Sequence, residues 1–183
     1  MNSARTLKLC VLLLYAATAS LLAKRVCNEK NNWNEAWKKS CLDEQAQHVL
    51  ERASSMTVIS LDPTLRSPKL FARLTESLSY RHFRGWRLLG QTNVSDAATR
   101  KRVAASVETA VRDFTGWRAS CFNPRHAVRV TSGSQTYDFV ICYECGSLEC
   151  YSGERELGSV CMSGSSRTLD ALLTAAHIKL AKP

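Results

Sequence analysis

The run VICYECGSLEC, residues 140–150, places Cys142, Cys145 and Cys150 within nine positions at the end of an apolar stretch. Cysteine at this density does one of three things. It ligates a soft metal as thiolate, it exchanges electrons as a dithiol pair, or it closes disulfides. Cys27, Cys41, Cys121 and Cys161 bring the set to seven outside Cys10, so an odd thiol remains after any intrachain pairing. For zinc, Cys142-x-x-Cys145 followed by Gly146 has the strand-then-knuckle form. Cys121 or Cys150 with His126 would complete the set, and the alternative written out in full is Cys121, His126, Cys142 and Cys145. A second paired motif, usual for such sites, is missing. For redox chemistry, a helix N-terminus after the first cysteine normally favours its thiolate. Here the pair ends an expected strand and encloses Glu144, whose charge acts the other way. Beyond sulfur, the run CFNPRHAVRV sets Arg125 beside His126, residue types suited to anion binding or acid–base work. With Glu144 these are the candidate functional residues. No Ser-His-Asp spacing, phosphate-cradling glycine loop or helix-borne histidine pair is present.

The compartment decides between the cysteine readings. MNSARTLKLCVLLLYAATASLLA carries Arg5 and Lys8 ahead of an apolar stretch with small residues near its end, the layout of a signal peptide. Cleavage is expected after Ala19, with Ala23 as the alternative, and an uncleaved N-terminal anchor is the only membrane attachment foreseen. No lipobox-like run precedes Cys10 or Cys27. The chain is therefore read as exported, periplasmic or secreted, where disulfides persist and no cofactor is needed, zinc being the alternative. Net charge is +9, and about +7 once Arg5 and Lys8 are removed. Basic residues crowd positions 81–129 and acids gather at Asp138, Glu144, Glu149, Glu154 and Glu156. This polarity suits an acidic protein or an anionic surface. Nucleic acid is not expected, since no nucleic-acid module accompanies the charge.

The elements that must position these residues follow from periodicity. Residues 31–55 read as a helix through Trp33, Trp37, Cys41 and Val49, and MTVISL as a short strand ended by a loop at Pro63 and Pro68. LFARLTESLSY is a weak helix candidate. FRGWRLLGQTNV reads as extended, with turns or bulges at Gly85 and Gly90. Residues 96–114 form the clearest helix, capped by Ser95, with Val103, Val107, Ala110, Val111 and Phe114 on one side. HAVRVTSGSQTYDFVICYE reads as a β-hairpin turning at residues 132–134, with partners summing to about 267. Val128 then faces Phe139, Val130 faces Tyr137, and Arg129 meets Asp138. SLECYS adds a further strand, followed by a glycine-rich loop and SVCMS, and Thr168–His177 closes as a helix with Leu169, Leu172, Leu173 and Ala176 inward. The expectation is one α+β domain: an antiparallel sheet containing a central hairpin, with helices packed on one face. The division is 1–23 signal peptide or anchor, 24–55 helical segment, and 56–183 α+β domain.

Extended past its turn, the hairpin register sets Cys121 opposite about residue 146, near Cys145 and within reach of Cys142. A bridge to either would close a loop of about 20 residues, a stabilisation of about 3 kcal/mol in the chain-entropy model. Pro124 interrupts the ladder, so the choice between them stays open. Cys150 with Cys161 and Cys27 with Cys41 are the other pairings considered. On the same register His126 falls on the apolar face.

The runs CFNPRHAVRV and YDFVICYEC, joined to GWRLLGQTNVSDAATRKRV and LDALLTAAHIKLA, resemble a family of uncharacterised exported bacterial proteins with a CFxPRH run, a hairpin and an ICxEC run. The resemblance covers roughly residues 83–181. It implies that Cys121, Phe122, Pro124, Arg125, His126, Cys142, Glu144 and Cys145 are the motif positions of an exported protein, and no activity comes with it. The function expected is a disulfide-stabilised binding domain rather than an enzyme. The alternatives are a zinc site and an Arg125–His126 site.

Overall fold

The computed structural model describes residues 42, 44–66, 80–114 and 118–182. The signal-like segment, Trp33, Trp37, Cys27, Cys41 and the candidate helix at 70–79 lie outside them. The described chain runs α1 (Glu44–Glu51), β1 (Ser55–Arg66), β2 (His82–Phe83), β3 (Trp86–Asn93), α2 (Ala97–Arg112), β4 (His126–Ser132), β5 (Gln135–Cys142), β6 (Ser147–Ser152), β7 (Arg155–Cys161) and α3 (Arg167–Ala175). Seven strands make one antiparallel sheet in the order β2-β3-β1-β4-β5-β6-β7. The architecture is the expected α+β domain with helices against a sheet.

The β4–β5 hairpin has the register the alternation demands. Val128 pairs with Phe139, Val130 with Tyr137 and Arg129 with Asp138. Strand alternation then divides the chain's apolar residues between two faces. On one face Met56, Val58, Val128, Phe139, Ile141 and Leu148 meet the inward sides of all three helices in the larger core. α1 contributes Ala46, Val49 and Leu50, α2 contributes Val103, Val107 and Val111, and α3 contributes Leu169 and Leu173. On the other face Ile59, Leu61, Phe83, Trp86, Ala127 and Val140 form a second, smaller cluster.

Local details depart from simple pattern reading where a stronger partner is at hand. α2 is capped by Asp96, not Ser95, because the carboxylate accepts the Thr99 N–H at 2.6 Å, a charge-assisted bond a hydroxyl cannot match. The Thr99 hydroxyl first, and this N–H second, hold the Asp96 carboxyl below its ordinary range. β1 runs through Pro63 where a loop was expected. Its pairing with β4 ends at Ser60, and its pairing with β3 is irregular beyond Asp62, so the missing proline N–H costs no ladder bond there. Gly90 marks close packing: a Cβ at that position would lie 2.7 Å from Ile178 Cγ2. The C-terminal segment thereby lies along the sheet, and the Ser60 hydroxyl donates to the Lys179 carbonyl at 2.7 Å. At α3 the serine before the helix does not cap it. The Ser166 hydroxyl donates instead to the Asp170 carboxylate.

The sheet is curled, and one ion cluster shows why. Arg84 sits in the β2–β3 turn, yet its Nε donates to Asp138 Oδ2 on β5 at 2.7 Å. Four strand spacings in a flat sheet would separate β2 from β5 by about 19 Å. The second face must therefore bend inward. Arg129 completes the cluster through Nε and Nη2 to Asp138 at 2.7 and 2.8 Å, which raises its own pKa. Arg84 also donates to the Gly153 carbonyl, reaches Glu154 at 3.3 Å and lies 4.7 Å from the Tyr151 ring centre. Its φ of 50° is a left-handed conformation that costs a non-glycine residue about 1 kcal/mol or more. The Asp138 tie holds it there, with Gly85 at φ 82° completing the tight turn.

α2 holds one misfit. Glu108 is half-buried, its Oε1 has no hydrogen-bond partner among the described residues, and its carboxyl is pushed up to about 7 by burial first and by Glu51 second, with Arg112 opposing. A raised folded pKa means stability that is full below the ordinary carboxyl range and lost as pH rises through about 7. Glu108→Gln is therefore expected to stabilise the fold at pH 8 by about 1 kcal/mol, a figure discounted for the solvent-screened half of the side chain, and to change little at pH 4. Urea denaturation of both proteins at the two pH values checks this.

Candidate functional site

The CFxPRH and ICxEC runs fold onto one another at the end of the β4–β5 hairpin. β5 ends at Cys142, and Tyr143, Glu144, Cys145 and Gly146 turn the chain into β6, with Gly146 at φ 63°. The segment 118–125 crosses this turn on its way into β4. The Ala119 N–H donates to the Cys145 carbonyl at 3.0 Å, and the Asn123 N–H points at Cys145 Sγ at 3.3 Å. Phe122 anchors the segment by packing on the smaller core, its ring edge-on to Trp86 at 6.0 Å. The backbone contacts of Ala119 and Asn123 thus lock the two runs together, while Phe122 ties them to the smaller core.

The sulfur arrangement differs from the pairing expected. Cys142 and Cys145 are bonded to each other, with Cα atoms 5.2 Å apart, and Cys121 is bonded to neither. The hairpin register did bring Cys121 to the right place: its Sγ is 3.5 Å from Cys145 Sγ. Cys121 approaches from an irregular segment, not from a ladder position, whereas the four-residue turn holds Cys142 and Cys145 together. A bridge across three residues constrains the unfolded chain less than one across about 20. The bond therefore shapes the turn more than it staples the domain. The Cys145 N–H donates to Cys142 Sγ at 3.1 Å.

The proposed Cys150–Cys161 bridge is not formed, and alternation explains it. Cys150 stands opposite Gly158 and Cys161 opposite Ser147, an odd offset along β6. Cys150 points into the helix-side core. Cys161 points to the second face, where Arg118 Nη1 lies 3.9 Å from its sulfur. The Cys27–Cys41 pairing lies outside the described residues.

Arg125 and His126 do not form a joint site. Adjacent residues at the entry to a strand project to opposite faces. Arg125 turns to the second face and pairs with Glu144 across the two runs, and its Nε lacks a hydrogen-bond partner among the described residues. His126 turns to the helix side, nearly buried, with Nε2 2.8 Å from Asp170 Oδ1 on α3 and its ring edge-on to Tyr143 at 5.9 Å. Burial holds the imidazole pKa below its ordinary value, while the Asp170 hydrogen bond opposes. The ring is therefore neutral at neutral pH, with the Nε2 proton donated to the carboxylate. Burial likewise raises the Tyr143 phenol to about 12. Ser166 and His126 both donate to Asp170, so the imidazole does not face the serine oxygen as a base.

The same geometry separates His126 from the three sulfurs of the zinc alternative. His126 pairs with Ile141, one residue short of Cys142, and so lies across the sheet from the sulfurs. Among the described residues no group of three or more His, Cys, Asp or Glu side chains is arranged to hold a metal ion. No family model, curated protein or solved structure matches the chain.

An element the periodicity did not single out as a site is the outer side of α2. The helix carries Arg100, Lys101, Arg102 and Arg112 against the single acid Glu108, with Arg100 turned back onto the Val94 and Ser95 carbonyls and Arg112 paired with Asp113 just past the helix end. Lys101, Arg102 and Arg112 are exposed. Between α2 and α3 runs an open groove of about 860 Å³, lined by Arg102, Ser106, Thr109, Ser163, Ser165 and Leu172 among others. Asp138, Glu144 and Glu149 are by contrast engaged: Asp138 with Arg84 and Arg129, Glu144 with Arg125, and Glu149 with the Tyr151 hydroxyl.

Proposed function

We propose that the protein is an exported, non-enzymatic binding domain that takes an acidic segment of a partner protein along the groove between α2 and α3. The observation that carries this reading is the contrast between two regions. Arg125, His126 and Glu144 of the CFxPRH and ICxEC runs are spent on one another and on α3. The groove is open and lined by hydroxyls, with Arg102 and Asp113 as its charged lining residues, and Lys101 and Arg112 stand exposed elsewhere on the same helix. Three consecutive cations, Arg100, Lys101 and Arg102, straddle the first and second turns of α2, near the helix end where the macrodipole disfavours positive charge. An anionic partner offsets that cost. Hydroxyl groups and backbone along Ser163–Ser165 suit an extended acidic peptide, and the charge supports fast, salt-dependent association.

The test is fluorescence anisotropy with a labelled oligoglutamate peptide. Binding is expected to weaken steeply between low and physiological salt. The triple variant Lys101→Glu, Arg102→Glu, Arg112→Glu is expected to lose at least about tenfold in affinity, the equivalent of about 1.4 kcal/mol. Equal binding by the variant, or none by the unaltered protein at low salt, overturns the reading.

A further inference from the structure

We propose that Cys121, Cys145 and Cys142 form a thiol–disulfide relay, in which Cys121 is the port through which an external thiol or disulfide reaches the buried Cys142–Cys145 bond. Three observations carry it. Cys142 and Cys145 are each 1% exposed, so an external thiol has no approach to their bond. Cys121 is exposed and bonded to no cysteine among the described residues. Its sulfur lies 3.5 Å from Cys145 Sγ, next to the bond it would open. The backbone is arranged for the exchange. Asn123 directs an N–H at Cys145 Sγ, and Cys145 directs its own N–H at Cys142 Sγ, which receives the negative charge when the bond opens.

The chemistry needs no group beyond the external thiol. The Cys121 thiolate attacks Cys145 Sγ; the Cys121–Cys145 bond forms, the Cys145–Cys142 bond breaks, and Cys142 leaves as thiolate. This first step is an isomerisation with no net oxidation. An external thiolate then attacks the exposed Cys121 sulfur, giving a mixed disulfide and releasing the Cys145 thiolate. A second external thiolate attacks the external sulfur of that mixed disulfide and frees Cys121. In total two external thiols become one disulfide, and the Cys142–Cys145 disulfide becomes two thiols. Run backwards, an external disulfide is reduced and the buried bond closes. The ligand class is a thiol or disulfide, from a small molecule or from a protein. This inference does not rest on the acidic-partner reading, because the sulfurs and the α2–α3 groove share no residue.

The test follows reduction of Cys142 and Cys145 in the oxidised protein by differential alkylation and peptide mapping, with reduced glutathione in one arm and a reduced protein dithiol in the other. Cys121→Ser, and unaltered protein blocked at Cys121 with N-ethylmaleimide, are each expected to be reduced at least about tenfold more slowly in whichever arm reduces the unaltered protein. The arm with the larger Cys121 dependence identifies the source. Reduction of both altered proteins at the unaltered rate overturns the relay. Cys142→Ala gives an independent reading. Mild oxidation with glutathione disulfide is expected to join Cys121 to Cys145, and persistence of both as free thiols contradicts the geometry. The maleimide arm needs no mutation, so a folding defect in a variant does not remove the test.

Discussion

Asp138→Ala is expected to destabilise the domain by about 3–5 kcal/mol, the range for breaking a buried ion cluster from one side. The carboxylate is fully buried and shared by two guanidinium groups. Its loss strands the side chain of Arg84, only 10% exposed, in a left-handed turn that no longer has its main tie. It also releases the contact that draws β2 across to β5, so the curl of the sheet loosens along with the charge balance. Arg129→Ala is expected to cost much less, because its side chain is 45% exposed and water can replace the lost bonds. Urea denaturation with the slope measured as well as the midpoint checks both. Equal effects of the two substitutions would show that Asp138 is not the centre of the cluster.

The second large effect is expected at Leu173→Ala, about 3 kcal/mol within the range for truncating a fully buried leucine. α3 has nine residues, too few to be helical on its own, and its place depends on burying Leu169 and Leu173. The helix also carries Asp170 to His126 and forms one wall of the groove. Loosening it is therefore expected to expose the imidazole and let its pKa rise towards the ordinary histidine value. NMR titration of His126 reads this apart from global stability. The sign for stability also follows: a lowered folded pKa means that stability from this site is lost as pH falls below the ordinary value of about 6.5.

Most of the architecture was legible because alternation and helical periodicity act locally. The β4–β5 register followed from one turn and one charge pair, and it brought Cys121 beside Cys145 before any contact was known. Other features were hidden by choices that local patterns do not encode. Ser95 and Asp96 are both good caps, and only geometry decides that the carboxylate wins. The Cys142–Cys145 bond depends on how tightly four residues turn, which the spacing alone leaves open. The separation of Arg125 from His126 was implicit in strand alternation, and adjacency in sequence obscured it. Arg84 gave no signal, since its role depends on the sheet curling through four strand spacings. The same is true of Asp170, forty-four residues from the histidine it holds.

The central claim is that the two cysteine-containing runs make one three-sulfur site with a closed buried pair and an accessible neighbour. Non-reducing peptide mapping of the native protein after alkylation tests it most directly. The expected result is a peptide with Cys142 and Cys145 joined, and Cys121 carrying the alkyl group. Alkylation of both Cys142 and Cys145, or Cys121 found bridged to a cysteine outside this set, would contradict it.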